Sequence, residues 1–254
     1  MSLTEQDVKG SIDITPYKFT CDDVIDPNIP PPFQGSKESF FRYAIIGSSG
    51  SGKTSLLQSL TQRSGKNKVY NGRFYNVFII SPSIKSMEQK PKLPDDRIYT
   101  SLEDLPKILD RIENDEECTG RSLIIMDDIV SELKNSSQLM DHVKRIYYNN
   151  RHIGQPLLDD NGNQISSGAI STIILGQKYC SLPRFIRSQI TGWMIFPNSS
   201  KQEINTIYED CVHCDRPVFD EIVKRVKSKP YGFMYLDTLK SKIYNGFKKQ
   251  FIYE

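Results

Sequence analysis

Residues 45–57 read IIGSSGSGKTSLL, and the rest of the chain takes its meaning from them. An apolar run enters Gly47, and Gly47-Ser48-Ser49-Gly50-Ser51-Gly52-Lys53-Thr54 fits the spacing GxxxxGK[ST]. Glycines at these positions let the backbone fold so that successive N–H groups point at one anion. A helix starting at the end of the loop adds its positive pole. Lys53 then reaches the β- and γ-phosphates of a nucleoside triphosphate, and Thr54 offers a hydroxyl to Mg²⁺. The expected nucleotide-binding set is Gly47, Ser48, Ser49, Gly50, Ser51, Gly52, Lys53, Thr54 and Ser55, with ATP and Mg²⁺ as the ligands.

Outward from this loop, short β-rich runs alternate with longer helical stretches. FRYAIIG (41–47) leads into a helix after Lys53. NVFIIS (76–81) precedes a helix near 102–115, and SLIIMDD (122–128) precedes one near 137–149. AISTIILG (169–176) and ITGWMIF (190–196) follow. These runs are apolar on consecutive positions, as parallel strands buried on both faces are. The alternation predicts an α/β fold with a mainly parallel central sheet flanked by helices and joined by right-handed crossovers. Beyond Pro197, helices are expected over 200–212 and 217–227, then a strand pair from YGFMYLD (231–237) and IYNGFKKQFIYE (243–254). The chain divides into an acidic, proline-containing arm (1–38), a core (39–197) and a C-terminal helical and β-hairpin extension (198–254). The segment QPLLDDNGNQISSGA (155–169) carries Asn161-Gly162, the signature of a hairpin with a type I′ turn and positive φ at both central residues. Such a hairpin is either a surface feature or a projection toward a neighbouring subunit or DNA.

The bulk numbers are those of a globular protein: 254 residues, 37% hydrophobic and 25% charged, with a net charge of +2. That total gives no licence for polyanion binding, but its distribution is uneven. Residues 1–40 hold three Lys/Arg against seven Asp/Glu, while residues 224–254 hold eight against two. Five cysteines and no apolar leader predict a reducing compartment without a disulfide framework. Cys211-Val-His-Cys214 has no second ligand pair nearby, so a closed zinc site is not expected. No apolar run approaches the roughly 20 residues that span a bilayer, and a soluble chain is expected.

The strand LIIMDD (123–128) ends in two carboxylates. A buried strand ending beside a phosphate loop puts its acid on the Mg²⁺ shell, which assigns Asp127 to the metal. Asp128 either polarises the attacking water or caps the next helix. Gln177 follows the strand AISTIILG, at the end of a sheet strand where ligands gather; it either orients water and senses the γ-phosphate or is a turn residue. Arg151, Arg184 and Arg187 are candidate fingers for a neighbour's γ-phosphate, each with surface charge as the simpler reading.

GSSGSGKT, LIIMDD, NNRHIG, STIILGQ and LPRFIRSQITGWMIF, in that order, resemble the DNA-packaging ATPases of poxviruses, other large double-stranded DNA viruses and virophages, within the FtsK/HerA superfamily. The resemblance runs from about Phe40 to Phe196 and more loosely beyond. It implies a RecA-like P-loop NTPase fold and ATP hydrolysis driving double-stranded DNA, irrespective of base sequence, through a homo-oligomeric ring, a pentamer or hexamer. A capsid or portal protein is the implied anchor, and the host cytoplasm, viral factory or virion the implied place. In its terms Lys53, Asp128 and Gln177 are catalytic, Thr54 and Asp127 hold Mg²⁺, and Arg151 is the first choice for a finger in trans, with Arg187 second. The insertion after NNRHIG departs from the family pattern and bears on Arg151. DNA contacts fall to local patches: RSGKNKVYNGR (63–73), Lys178 through Arg187, and the basic tail. The absence of LSGGQ and NKxD argues against transporter ATPases and GTPases. Two alternatives stand beside the motor: a nucleotide-gated adaptor at a capsid vertex, and a small-molecule P-loop kinase.

Overall fold

Two stretches, SLIIMD and ISTIILG, are buried at every position and form the middle of the sheet. The computed structural model describes residues 40–61, 74–84, 93–198 and 200–253. In chain order the elements are β1 (Arg42–Ile46), α1 (Lys53–Thr61), β2 (Asn76–Ile80), β3 (Ile98–Tyr99), α2 (Leu105–Asn114), β4 (Ser122–Asp127), α3 (Val130–Asn135) and α4 (Ser137–Asn149). Then come β5 (Leu157–Leu158), β6 (Gln164–Ser166), β7 (Ile170–Gly176), α5 (Arg184–Arg187), β8 (Gly192–Ile195), α6 (Lys201–Cys211) and α7 (Arg216–Lys227), and finally β9 (Met234–Asp237), β10 (Lys242–Asn245) and β11 (Lys249–Gln250). The acidic arm and the basic segment 63–73 lie outside the described residues.

The main sheet runs β11-β10-β9-β8-β1-β7-β4-β2-β3. From β8 to β3 all neighbours are parallel. β9, β10 and β11 continue the same sheet antiparallel, starting on β8. In place of the expected pair there are thus three strands on the edge of the central sheet. The stretch 243–254 turns at Gly246 (φ 58°), so that β10 and β11 form an antiparallel hairpin that ends at Gln250.

Alternation along the strands sorts the core into two faces. Ala44 and Ile46 of β1, Ile124 and Met126 of β4 and Trp193 and Ile195 of β8 pack beneath α2, α4, α6 and α7. Tyr43 and Ile45, Ile125, Ile173 and Met194 face the other way, onto Leu57 and Leu60 of α1. Helix periodicity supplies the matching surfaces. Leu105, Ile108, Leu109 and Ile112 make one stripe of α2, and Phe219, Ile222, Val223 and Val226 one stripe of α7. Pro106 and Pro217 sit in the first turns, where no N–H is missed. Ser136 caps α4 by accepting from the Leu139 N–H at 3.3 Å.

The hairpin β5–β6 is present, but its turn differs from the expected type I′. Five residues, 159–163, connect the strands, and only Gly162 has positive φ (81°); Asn161 does not. The cause is Asp159, whose carboxylate accepts from the N–H groups of Asn161 and Asn163 at 2.9 and 2.8 Å. That side chain organises the loop, so the left-handed conformation is needed once. Two glycines clamp the hairpin's base: a Cβ on Gly168 would lie 2.3 Å from the Gly154 carbonyl oxygen, a backbone atom that cannot swing aside. Gly168→Ala is expected to cost about 1–3 kcal/mol. At roughly 2–4 °C per kcal/mol for a chain of this size, a thermal melt resolves that loss.

Candidate active site

β1 ends where the glycine loop begins, and β7, not β4, lies beside it. Ile46 pairs with Gly176, Asp127 pairs with Leu175, and the Gly47 N–H donates to the Gly176 carbonyl at 3.1 Å. β7 therefore stands between the loop strand and the acid strand, which are two strand spacings apart, about 9.6 Å. Gln177, the next residue, emerges exposed at the carboxyl edge between the loop and the Asp127–Asp128 pair. Lys53, Asp127, Asp128 and Gln177 are brought to one edge of the sheet.

Within the loop, Gly50 and Gly52 take φ of 74° and 104°, the region glycine enters without cost. Gly47 is required for another reason: a Cβ there would meet Ser51 Oγ at 2.5 Å and Phe196 Cβ at 2.8 Å. Lys53 Nζ donates to the Gly47 and Ser48 carbonyls at 2.7 and 3.0 Å, which holds the ammonium over the loop's mouth. Its pKa is lowered by burial, against the opposing pull of Asp127 and Asp128. Ser51 Oγ is buried and makes no hydrogen bond within the protein. Glycine cradle, poised cation and unsatisfied hydroxyl together fit a triphosphate.

Asp127 closes β4 almost fully buried, and Ser81, at the end of β2, donates to its Oδ2 at 3.1 Å. Burial pushes the Asp127 carboxyl up, and the neighbouring Asp128 charge adds to that; the Ser81 hydrogen bond and Lys53 oppose both. A buried carboxylate in this setting is stabilised by a cation, and with Thr54 at the start of α1 it could hold Mg²⁺. Asp128 is exposed and has φ of 55°. It does not cap the following helix: Ile129 is the N-cap of α3, and no side chain bonds there. Strain at a non-glycine residue beside a phosphate loop points to a positional demand.

The arginines lie elsewhere. α4 runs back from the acid pair to the amino edge of the sheet. There Asn150 is fastened between Arg42 Nη1 (2.8 Å) and the Ile170 carbonyl (3.1 Å). Arg151 follows, exposed, with its guanidinium 5.0 Å from the Phe40 ring centre. It is at the opposite edge from its own phosphate loop, roughly 20 Å away along six residues of strand. Arg187 is bound within the chain: it pairs with Asp210, stacks 5.1 Å over Tyr179, and its side chain is 16% exposed. Arg184 is exposed. Cys211, from the CxxC-like pair, has the Tyr179 hydroxyl at 3.2 Å, and burial pushes its thiol up to about 11.

Several residues at this edge escaped the sequence reading. Ser81 and Phe196 each follow the carboxyl end of a parallel strand, the same place that singled out Asp127 and Gln177, so the signal was available. Tyr231 and Phe233 reach the site from the C-terminal segment and line, with the loop, a cleft of about 560 Å³. Glu203 braces this edge from α6: it accepts from Cys180 N (3.2 Å) in the loop after β7 and from Asn198 Nδ2 (2.6 Å) in the loop after β8. Ser200 and Glu203 are spaced as a capping box, yet only the serine half is made, because the glutamate is engaged by these loops.

A family model described as the NACHT domain matches residues 42–152, less than half of the chain. No curated protein matches the chain in sequence. Among solved structures, the genome-packaging NTPase B204 of Sulfolobus turreted icosahedral virus 2, in complex with ATP-gammaS, is similar at TM-score 0.56 and 15% identity, covering 82% of this chain and 97% of that one. The DNA-packaging ATPase B204 of Sulfolobus turreted icosahedral virus gives TM-score 0.56 at 16% identity, covering 81% and 96%. The pCW3 conjugation coupling protein TcpA, with ATPgS, gives TM-score 0.53 at 9% identity, covering 82% of this chain and 60% of that one. At such identities the likeness is one of fold: this chain has the RecA-like P-loop NTPase architecture expected of its sequence.

Proposed function

We propose that the chain is an ATPase working as a subunit of a ring of five or six copies, whose hydrolysis drives double-stranded DNA into a capsid. The observation that carries this reading is the strand order, with β7 between β1 and β4 and Gln177 beside both the loop and the acid pair. That geometry serves attack by water on a γ-phosphate, for which one group must orient the water and another accept its proton. The likeness in fold to two packaging ATPases and a conjugation coupling protein supports the motor over the kinase.

In this reading the loop N–H groups and Lys53 hold the β- and γ-phosphates. Thr54 and Asp127 would hold Mg²⁺, which when bound would neutralise developing phosphate charge. Asp128 takes the proton from water that Gln177 orients. Arg151 acts on the site of the adjacent subunit, because its own site is at the far edge of the sheet. Arg187, paired to Asp210, is left to brace α5 against α6.

DNA contact falls to exposed cations: Lys178 and Arg184, and the tail's Lys224, Arg225, Lys227, Lys229, Lys240, Lys242, Lys248 and Lys249. The acidic arm is the proposed contact for a capsid or portal partner, and the host cytoplasm or virion the proposed place. Among the described residues no helix is long and apolar enough to cross a membrane.

Hydrolysis measured with and without long double-stranded DNA tests the motor. Several-fold stimulation at about 50 mM salt is expected. DNA affinity should fall by orders of magnitude toward roughly 200 mM, the signature of phosphate contacts. A rate indifferent to DNA at low salt, at concentrations sufficient for assembly, would move the reading to a nucleotide-gated adaptor.

A further inference from the structure

We infer that the cleft continuing from the phosphate loop takes the nucleotide base by stacking on Tyr231, Phe196 and Phe233, and so prefers purines to pyrimidines while treating adenine and guanine alike. This deepens the nucleotide reading and rests on it.

Besides the phosphate loop, the cleft is lined by Leu56, Ser59, Phe196, Tyr231 and Phe233. Three aromatic residues from two strand ends and a turn thus converge on the first turns of α1. Their placement is anchored. Phe196 packs against Gly47, where even a methyl would come within 2.8 Å of its Cβ, so the aromatic wall abuts the phosphate loop directly. Phe196 and Phe233 have ring centres 5.3 Å apart. Phe233 in turn meets the edge of Phe247 at 5.0 Å, which stiffens the wall from behind.

Tyr231 is the exposed member, at 74%. Its φ is 53°, a conformation that L side chains rarely adopt. The turn after α7 imposes it. Gly232 N donates to the Lys229 carbonyl at 3.0 Å, and a Cβ on Gly232 would lie 2.1 Å from the Val226 carbonyl oxygen. That tight reversal holds the Tyr231 ring over the loop, where its Cδ1 stands 3.5 Å from the Cβ position of Gly52. A large aromatic side chain, left open to solvent in a strained turn beside a triphosphate cradle, has the form of a stacking platform.

The recognition is by faces and not by edges. Among the described residues lining the cleft, the polar side chains besides the Tyr231 hydroxyl are Lys53 and Thr54, assigned to phosphate and Mg²⁺, and two serines, Ser55 and Ser59. The Ser59 hydroxyl donates to the Ser55 carbonyl at 2.8 Å. Nothing there resembles the amide or carboxylate pair that separates adenine from guanine by hydrogen bonding. Stacking area therefore decides, and the two-ring bases have more of it than the one-ring bases.

Affinities of the full chain for ATP, GTP, CTP, UTP and inorganic tripolyphosphate, by calorimetry under non-turnover conditions, test this. ATP and GTP should bind within a few-fold of each other and several-fold more tightly than CTP and UTP. Tyr231→Asn suits the turn, since asparagine accepts positive φ. It should weaken ATP and GTP by about tenfold and leave tripolyphosphate binding unchanged, while Tyr231→Phe keeps the affinity. Equal binding of all four nucleotides, a strong preference between ATP and GTP, or an unaltered ATP affinity in Tyr231→Asn would each overturn the proposal while leaving the nucleotide reading intact. Equal weakening of tripolyphosphate would show a structural role for Tyr231 and overturn it too. Failure of ATP, GTP and tripolyphosphate alike to bind the wild-type chain would overturn both readings together.

Discussion

Arg151→Ala is expected to lower the hydrolysis rate of the proposed ring by about three orders of magnitude or more, with nucleotide affinity of the isolated chain unchanged. The expectation comes from position. Asn150, its neighbour, is bonded to Arg42 and to the Ile170 backbone, so the end of α4 is fixed to the amino edge of β1 and β7. The side chain lies exposed at that edge over Phe40, while Lys53 lies at the carboxyl edge. A residue so placed cannot stabilise charge at its own site, but a head-to-tail ring brings this edge of one subunit to the phosphate loop of the next. Mixing variants separates this from loss of folding. Arg151→Ala and Lys53→Ala chains, each inactive alone, should recover activity together, because a Lys53→Ala subunit can lend its arginine to an intact neighbouring site. A rate within tenfold of wild type in Arg151→Ala would remove the residue from the mechanism. Arg187→Ala serves as the contrast: with its guanidinium committed to Asp210 and Tyr179, its loss should lower thermal stability more than turnover.

The second large effect is expected at the acid pair. Asp128→Asn should reduce turnover about 10²–10⁴-fold with ATP still bound. Asparagine is the informative replacement, since it tolerates the φ of 55° as aspartate does and removes only the charge. Asp127→Asn should instead weaken Mg²⁺-dependent nucleotide binding, because Asp127 is the buried member held by Ser81. Nucleotide affinity titrated against Mg²⁺ and single-turnover hydrolysis tell the two apart. If Asp128→Asn turns over normally, water activation must be assigned elsewhere, and Gln177 would be the next residue to replace.

Several elements were legible before the structure. The helix expected over 137–149 is α4, and those expected over 200–212 and 217–227 are α6 and α7 to within a residue or so. Amphipathic periodicity, a capping serine and a first-turn proline are local signals, and they act within a few turns of chain. β3, with two residues, and α3, with six, are too short for periodicity to mark. The turn at 159–163 was misread because Asn-Gly is a two-residue signal, and the side chain of Asp159 outweighed it.

From sequence alone came the phosphate loop, the alternation of buried strands with one-sided helices, and the two acids at a strand end. Each follows from chemistry carried by neighbouring residues. Which strand lies beside which could not be read there. The apolar runs of β1, β4, β7 and β8 are interchangeable as partners, and only packing of the whole sheet selects their order. That order puts β7 between the loop and the acids, and it gives Gln177 and Ser81 their places. It also brings Tyr231 and Phe233 back from beyond position 230 to the helix at 53, and it sends Arg151 to the opposite edge, exposed beside Phe40. The site is made of strand ends, and strand ends meet only once the sheet is assembled.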